Sequence, residues 1–210
     1  MGVIRKINFG GISTYPDKIA ADGKYLWVAS GTDKKIYQID KSGKLISTID
    51  VSGINAYPQG LAADGKYLWF LDNTNDSIHQ MDKSGNIIKT INLGEAPLFP
   101  IGLTTDGKYL WWIEYYSQNI YQMDKEGNVI KTIDISGITT KPQDITTDGK
   151  YLWFAEGLNE MIHQMDKEGN VIKSIPFDEV GCYIRGITTD GKYLWTIGTN
   201  ARLLIQWSKN

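Results

Sequence analysis

Three carboxylates, Asp72, Glu114 and Glu156, stand 42 residues apart in this chain. Three acids drawn together can hold a divalent cation and activate a water on it. Two histidines, His79 and His163, are separated by twice that interval, and histidine is the side chain most used for proton transfer and metal ligation. Tyr15, Tyr57, Phe99 and Tyr183 share the same spacing, with Lys141 in the fifth place. Two residues further on come Asp17, Gln59, Gln143 and Arg185, with apolar Ile101 in the series. Trp112, Tyr115 and Tyr116 thicken the aromatic content of one stretch. Aromatic walls with a few polar groups are how small-molecule sites are lined, and the same side chains anchor protein partners. Twelve residues are therefore ligand-binding candidates: Tyr15, Asp17, Tyr57, Gln59, Phe99, Trp112, Tyr115, Tyr116, Lys141, Gln143, Tyr183 and Arg185. The three acids are the metal candidates.

The interval belongs to the whole chain. Asp-Gly-Lys-Tyr-Leu-Trp recurs at 22–27, 64–69, 106–111, 148–153 and 190–195, and five such units fill all 210 residues. A strand-rich repeat of some 40 residues is the signature of a propeller blade. In the second unit, the small residues of Gly60-Leu61-Ala62-Ala63 suit an inner strand crowded about a channel. Asp64-Gly65 gives a tight turn. Tyr67-Leu68-Trp69-Phe70-Leu71 lacks alternation and predicts a strand buried on both faces. Residues 77–82 make a third strand and 87–91 an outer one. The expected fold is all-β: a five-bladed β-propeller with four antiparallel strands per blade. A single domain, 1–210, holds blades at about 17–50, 59–92, 101–134, 143–176 and 184–207 plus 2–8. The N-terminal strand closes the last blade and removes an open sheet edge.

Positions that answer one packing problem five times should agree. The Trp column (Trp27, Trp69, Trp111, Trp153, Trp195) therefore reads as inter-blade core. The Gln column (Gln38, Gln80, Gln122, Gln164, Gln206) is expected to satisfy backbone groups between blades. His79 and His163 share a column with Tyr37, Tyr121 and Ile205 on third strands, where core or rim packing is expected. The Asp-Gly-Lys and Asp-Lys-(Ser/Glu)-Gly turns read as a solvated rim of mixed charge; one carboxylate per turn is too few for calcium. Variation gathers in the loops at 30–34, 72–76, 114–118, 156–160 and 198–202. It also gathers in the blade connections at 10–17, 52–59, 93–101, 136–143 and 178–185. A rigid frame with variable loops is where binding sites sit.

A formal charge of −2 gives no general attraction to nucleic acid or anionic lipid, so neither is expected as a partner. Cys182 is alone, which excludes a disulfide framework. The N-terminal residues align with repeat sequence and lack a signal-like apolar run, so a cytoplasmic monomer is expected. Near-identical repeats that close on a whole number of blades suggest recent amplification or engineering. No nucleophile–base pair, phosphate loop or His/Cys cluster stands out. The expected function is a non-enzymatic scaffold or binding module taking a small molecule, glycan or peptide, with no cofactor. The alternatives are a Ca- or Mg-dependent lyase or hydrolase on Asp72, Glu114 and Glu156, and a protein platform on Trp112, Tyr115 and Tyr116.

The stretch Pro142-Gln143-Asp144-Ile145-Thr146-Thr147-Asp148-Gly149-Lys150-Tyr151-Leu152-Trp153-Phe154-Ala155-Glu156, with Met165-Asp166-Lys167-Glu168-Gly169-Asn170, resembles blades of the virginiamycin B lyase family. It is also similar to the NHL, YVTN and SMP-30-like propellers. The resemblance to the lyases implies a magnesium site of acidic residues with a histidine base on the channel face. Glu114 and Glu156 match the acid of the family's Trp-Phe-Thr-Glu pattern, whereas His79 and His163 fall elsewhere, so the base is not carried over. Gln59-Gly60-Leu61 is similar to the Gln-Gly-Leu of five-bladed glutaminyl cyclotransferases. The column of their catalytic glutamate holds Val28, Phe70, Trp112, Phe154 and Thr196. Five-bladed lectins share only the blade count.

Overall fold

The computed structural model describes residues 1–54, 57–94, 99–177 and 181–209. The connections at 52–59, 93–101 and 178–185 lie partly outside these. The chain opens with β1 (Val3–Asn8) and continues into blade one: β2 (Lys18–Ala21), β3 (Leu26–Ser30), β4 (Lys35–Ile39) and β5 (Leu45–Asp50). Blade two is β6 (Pro58–Ala63), β7 (Tyr67–Asp72), β8 (Ser77–Asp82) and β9 (Ile87–Asn92). Blade three is β10 (Pro100–Thr105), β11 (Leu110–Glu114), β12 (Asn119–Met123) and β13 (Val129–Asp134). Blade four is β14 (Pro142–Thr147), β15 (Leu152–Glu156), β16 (Met161–Met165) and β17 (Val171–Pro176). Blade five is β18 (Ile184–Thr189), β19 (Tyr193–Gly198) and β20 (Leu203–Ser208), and β1 pairs antiparallel to β20 as its fourth strand. The expected five-bladed propeller with its N-terminal closing strand is the fold observed.

Closure repeats the geometry of the covalently continuous blades. Asn8 pairs with Leu203 and Lys6 with Ile205, and the register shifts between Val3 and Arg5, as it does between Gln38 and Ile39 in blade one. The residue after each outer strand donates its N–H to a left-handed residue of the second loop. These bonds run Val51 to Lys34, Leu93 to Asp76, Ile135 to Gln118, Phe177 to Glu160 and, across the seam, Phe9 to Arg202. The chain ends thus meet in the register the sequence repeat demands.

Second strands are buried along their length. The five column tryptophans fill the spaces between blades with at most 2% of their surface exposed. At about 25 cal/mol per Å², each ring contributes on the order of 5 kcal/mol of gross burial free energy. Among the described residues no helix is long and apolar enough to cross a membrane.

The rim of turns is more than a solvated surface. Each tryptophan donates its Nε1–H to the turn aspartate of its own blade, for example Trp27 to Asp22 at 3.0 Å and Trp195 to Asp190 at 3.2 Å. The same carboxylates receive a lysine from the next blade. The pairs are Lys83–Asp22 (2.5 Å), Lys125–Asp64 (2.9 Å), Lys167–Asp106 (2.7 Å), Lys209–Asp148 (3.3 Å) and, at the seam, Lys41–Asp190 (2.7 Å). The ammonium also lies over the tryptophan it clasps at three junctions, 5.5 to 5.7 Å from the ring. Burial pushes these aspartates up, but the lysine, tryptophan and tyrosine N–H bonds together hold them below the ordinary carboxylate range. No local pattern shows this, because the lysine lies 61 residues from its aspartate at four junctions and near the other end of the chain at the seam. Two members of the Gln column also differ from expectation. Gln38 accepts from Ser47 and Gln206 from Arg5, side chains of the adjacent outer strand.

Candidate functional site: the channel mouth

The five inner strands β2, β6, β10, β14 and β18 meet around the axis, and their free edges carry backbone groups that need partners. One position near the mouth is held by Lys18, Gly60, Gly102, Asp144 and Gly186. A Cβ at Gly102 would sit 2.6 Å from Asp144 Oδ1, and one at Gly60 or Gly186 would meet backbone at 2.9 Å. Gly102 therefore makes room for the Asp144 carboxylate, and Gly60 and Gly186 let neighbouring inner strands approach closely. Lys18 Nζ reaches across and donates to the carbonyls of Gln143 (2.7 Å) and Arg185 (2.9 Å). Asp144 Oδ2 accepts the Ile187 N–H at 2.9 Å, while Oδ1 has no partner among the described residues. Burial pushes the Asp144 carboxyl up to about 7 despite the pull of Lys18.

Neither Lys18 nor Asp144 is among the twelve candidates. The available signal was a column of glycines interrupted by one cation and one anion.

Above this floor lies a cavity of about 390 Å³, bounded by Lys18, Gln59, Phe99, Ile101, Tyr115, Tyr116, Gln143 and Arg185. Six of the candidates thus share one concavity. Phe99, Tyr115 and Tyr116 form a cluster with ring centroids 5.3 to 6.0 Å apart and steep interplanar angles. Phe99 is 41% and Tyr116 67% exposed, so this wall is open to solvent. Arg185 faces it across the mouth, held by Asp17 Oδ1 at 3.3 Å and lying over the rings of Tyr15 (5.5 Å) and Tyr183 (6.0 Å). Asp17 is fully buried, with Oδ2 unpartnered among the described residues.

The remaining candidates are placed otherwise. Tyr57 covers Gly31 of the preceding blade, where a Cβ would meet its ring at 2.6 Å, and Tyr183 covers Gly157 in the same way. Half of the aromatic column therefore wedges neighbouring loops. Lys141 is exposed, and its carbonyl accepts the Gly157 N–H. Trp112 is 2% exposed and stacked on Tyr121 at 4.1 Å, so its ring is core and not a surface anchor.

The three acids do not converge. Asp72 Oδ1 accepts N–H groups of Tyr57 and Thr74, and its Oδ2 accepts from Asn75. Glu114 accepts from the Phe99 and Ser117 amides, and Glu156 from Leu158 and Asn159. Each carboxylate folds the loop of its own blade, and these bonds outweigh the upward push of burial to keep Asp72 and Glu114 below the ordinary range. Among the described residues no group of three His, Cys, Asp or Glu side chains is placed to hold a metal ion. The residues present do not fit the magnesium centre that the lyase resemblance implies. His79 packs on Phe70 with Nδ1 at Thr90, and His163 stacks on Phe154 with Nδ1 at Ser174. Both sit behind the second strands and outside the mouth.

Comparison with known proteins agrees with this architecture. A comparison with curated protein sequences gives no match. Among solved structures, glutaminyl cyclase from Myxococcus xanthus superimposes with a TM-score of 0.81 at 13% identity, over 98% of this chain and 94% of that one. A catalytically inactive virginiamycin B lyase from Staphylococcus aureus with quinupristin gives 0.59 at 21% identity, over 93% of this chain and 66% of that one. A streptogramin B lyase gives 0.57 at 20% identity, over 98% and 73%. At these identities the likenesses establish the fold alone. The sequence profile of the virginiamycin B lyase family, however, matches residues 2–202, and the chain belongs to that family.

Proposed function

We propose that the protein is a binding propeller whose channel mouth takes a small molecule with a flat apolar body and an anionic or amide end. The observation that carries this is the division of the cavity. The Phe99–Tyr115–Tyr116 wall offers ring faces, and Gln59, Gln143 and Arg185 offer amide and guanidinium donors opposite. Arg185 presents several N–H groups in a fixed fork suited to a carboxylate, and Asp17 takes only part of that capacity. Binding rather than turnover is supported by the placement of both histidines in blade interiors. The test is calorimetric titration with indole-3-acetate and 4-hydroxyphenylacetate. Binding that weakens about tenfold or more in Arg185→Met and Tyr116→Ala supports the reading. No heat with either compound at millimolar concentration sinks it.

Family membership favours one second reading, cleavage of a streptogramin B such as quinupristin. Chromatography of quinupristin incubated with the protein, with and without added magnesium, decides it. Intact quinupristin after prolonged incubation removes this reading.

A further inference from the structure

We propose that Lys18 is a covalent attachment point for a ligand bearing an aldehyde or ketone, its amine condensing with the carbonyl carbon to form an imine in the mouth cavity. The inference rests on the cavity being a binding site and deepens that reading.

The frame does not ask for a lysine here. Glycine serves the same position in blades two, three and five. Lys18 is 2% exposed, yet it bounds the cavity beneath the aromatic wall. Its Nζ makes two hydrogen bonds, both to backbone carbonyls, and no ion pair joins it to a carboxylate among the described residues. A neutral amine has two N–H groups and one lone pair, so two carbonyl acceptors satisfy it and leave the lone pair free. An ammonium would keep a third N–H without a partner among the described residues. Burial lowers the amine, against the pull of Asp144 and Asp17, and Arg185 lowers it further. Desolvation next to another cation is the usual route to a nucleophilic lysine.

Asp144 supplies the proton traffic through an intervening water, since it interacts with Lys18 as a charge from beyond ion-pair distance. Its Oδ1 is buried and unpartnered among the described residues, and a carboxyl pushed up to about 7 is partly protonated near neutral pH. In the addition, the N–C bond forms, the carbonyl oxygen takes the proton of Asp144, and the nitrogen gives one back. In the dehydration, the C–O bond breaks and water leaves with a second proton from Asp144, which the imine nitrogen then restores. One water is released, and no oxidant or reductant is needed.

The test uses 4-hydroxybenzaldehyde with sodium cyanoborohydride at neutral pH, followed by peptide mapping by mass spectrometry. Labelling of Lys18 at least tenfold faster than the exposed Lys24 and Lys66 is expected. Labelling no faster than at those lysines overturns the proposal, and this comparison needs only the native chain. Lys18→Arg keeps N–H donors for the two carbonyls but has no nucleophilic amine, and is expected to lose the label. Parallel titration with 4-hydroxybenzoate, which cannot condense, separates the two readings. If that acid binds and Lys18 stays unlabelled, covalent attachment fails and the binding site stands. If neither occurs, both fail.

Discussion

The two faces of the ring use aspartate in opposite ways. On the turn face, Asp22, Asp64, Asp106, Asp148 and Asp190 each join a tryptophan of one blade to a lysine of the next, five times over. Their hydrogen bonds hold the carboxyls low, so the charged form is the stable one. At the channel mouth, Asp144 occurs once, is buried with one oxygen unpartnered among the described residues, and is pushed up to about 7. One face stabilises the ring; the other spends stability on an unusual group. Strained or under-satisfied polar groups of this kind concentrate where proteins bind or react.

The sharpest way to break the comparison is to open the ring. Deleting residues 1–8 removes β1 and exposes the edge of β20, and the calorimetric transition should lose its cooperativity altogether. Next in size, Trp111→Ala at an interior junction should cost about 3–5 kcal/mol in denaturant unfolding. Replacing the clasp acid at the seam, Asp190→Ala, leaves the Trp195 N–H and Lys41 unpaired and should cost about 1–3 kcal/mol. Asp106→Ala at an interior junction should cost the same if the seam is equivalent to the rest.

Titration sharpens the contrast in sign. The clasp aspartates have folded values below the ordinary 3.8. Their stabilisation is therefore complete above that pH and is lost as pH falls through the lower folded value. Asp144 runs the other way. Its folded value lies above the unfolded one, so stability is greatest below about 3.8, declines as pH rises towards about 7 and is level beyond. Asp144→Asn should flatten that decline in a series of urea melts between pH 4 and 8, leaving the acid limb unchanged. An unaltered slope would mean that Asp144 is not the group responsible. Smallest in stability terms is Tyr116→Ala, at 67% exposure, which should shift unfolding by less than about 0.5 kcal/mol while weakening ligand binding.

Much of the fold was legible because each blade states its pattern again. The Trp column, the small inner strands and the alignment of Val3–Asn8 with outer strands all follow from register. The site was legible only in part. Gln59, Phe99, Tyr115, Tyr116, Gln143 and Arg185 meet at one cavity, but Trp112 turns into its own blade and Tyr57 onto a neighbouring glycine. Side-chain type did not separate these cases, because a buried wedge and an open wall both favour aromatic rings. The acids at Asp72, Glu114 and Glu156 mislead for a related reason. Equal spacing places them at equal heights on adjacent blades, yet each finds backbone N–H donors within its own loop before it can meet the others.

The sequence alone determined the number of blades, the strand order within each and the join between first and last strands, since all three are properties of a 42-residue period. Tertiary structure alone decided which groups face one another across the axis and across each blade junction. Lys18 meets the carbonyl of Gln143 from 125 residues away, and Lys41 meets Asp190 from the far end of the chain. Such contacts depend on the curvature that brings the ring round on itself, and no local pattern encodes which side chain will reach the partner left without water.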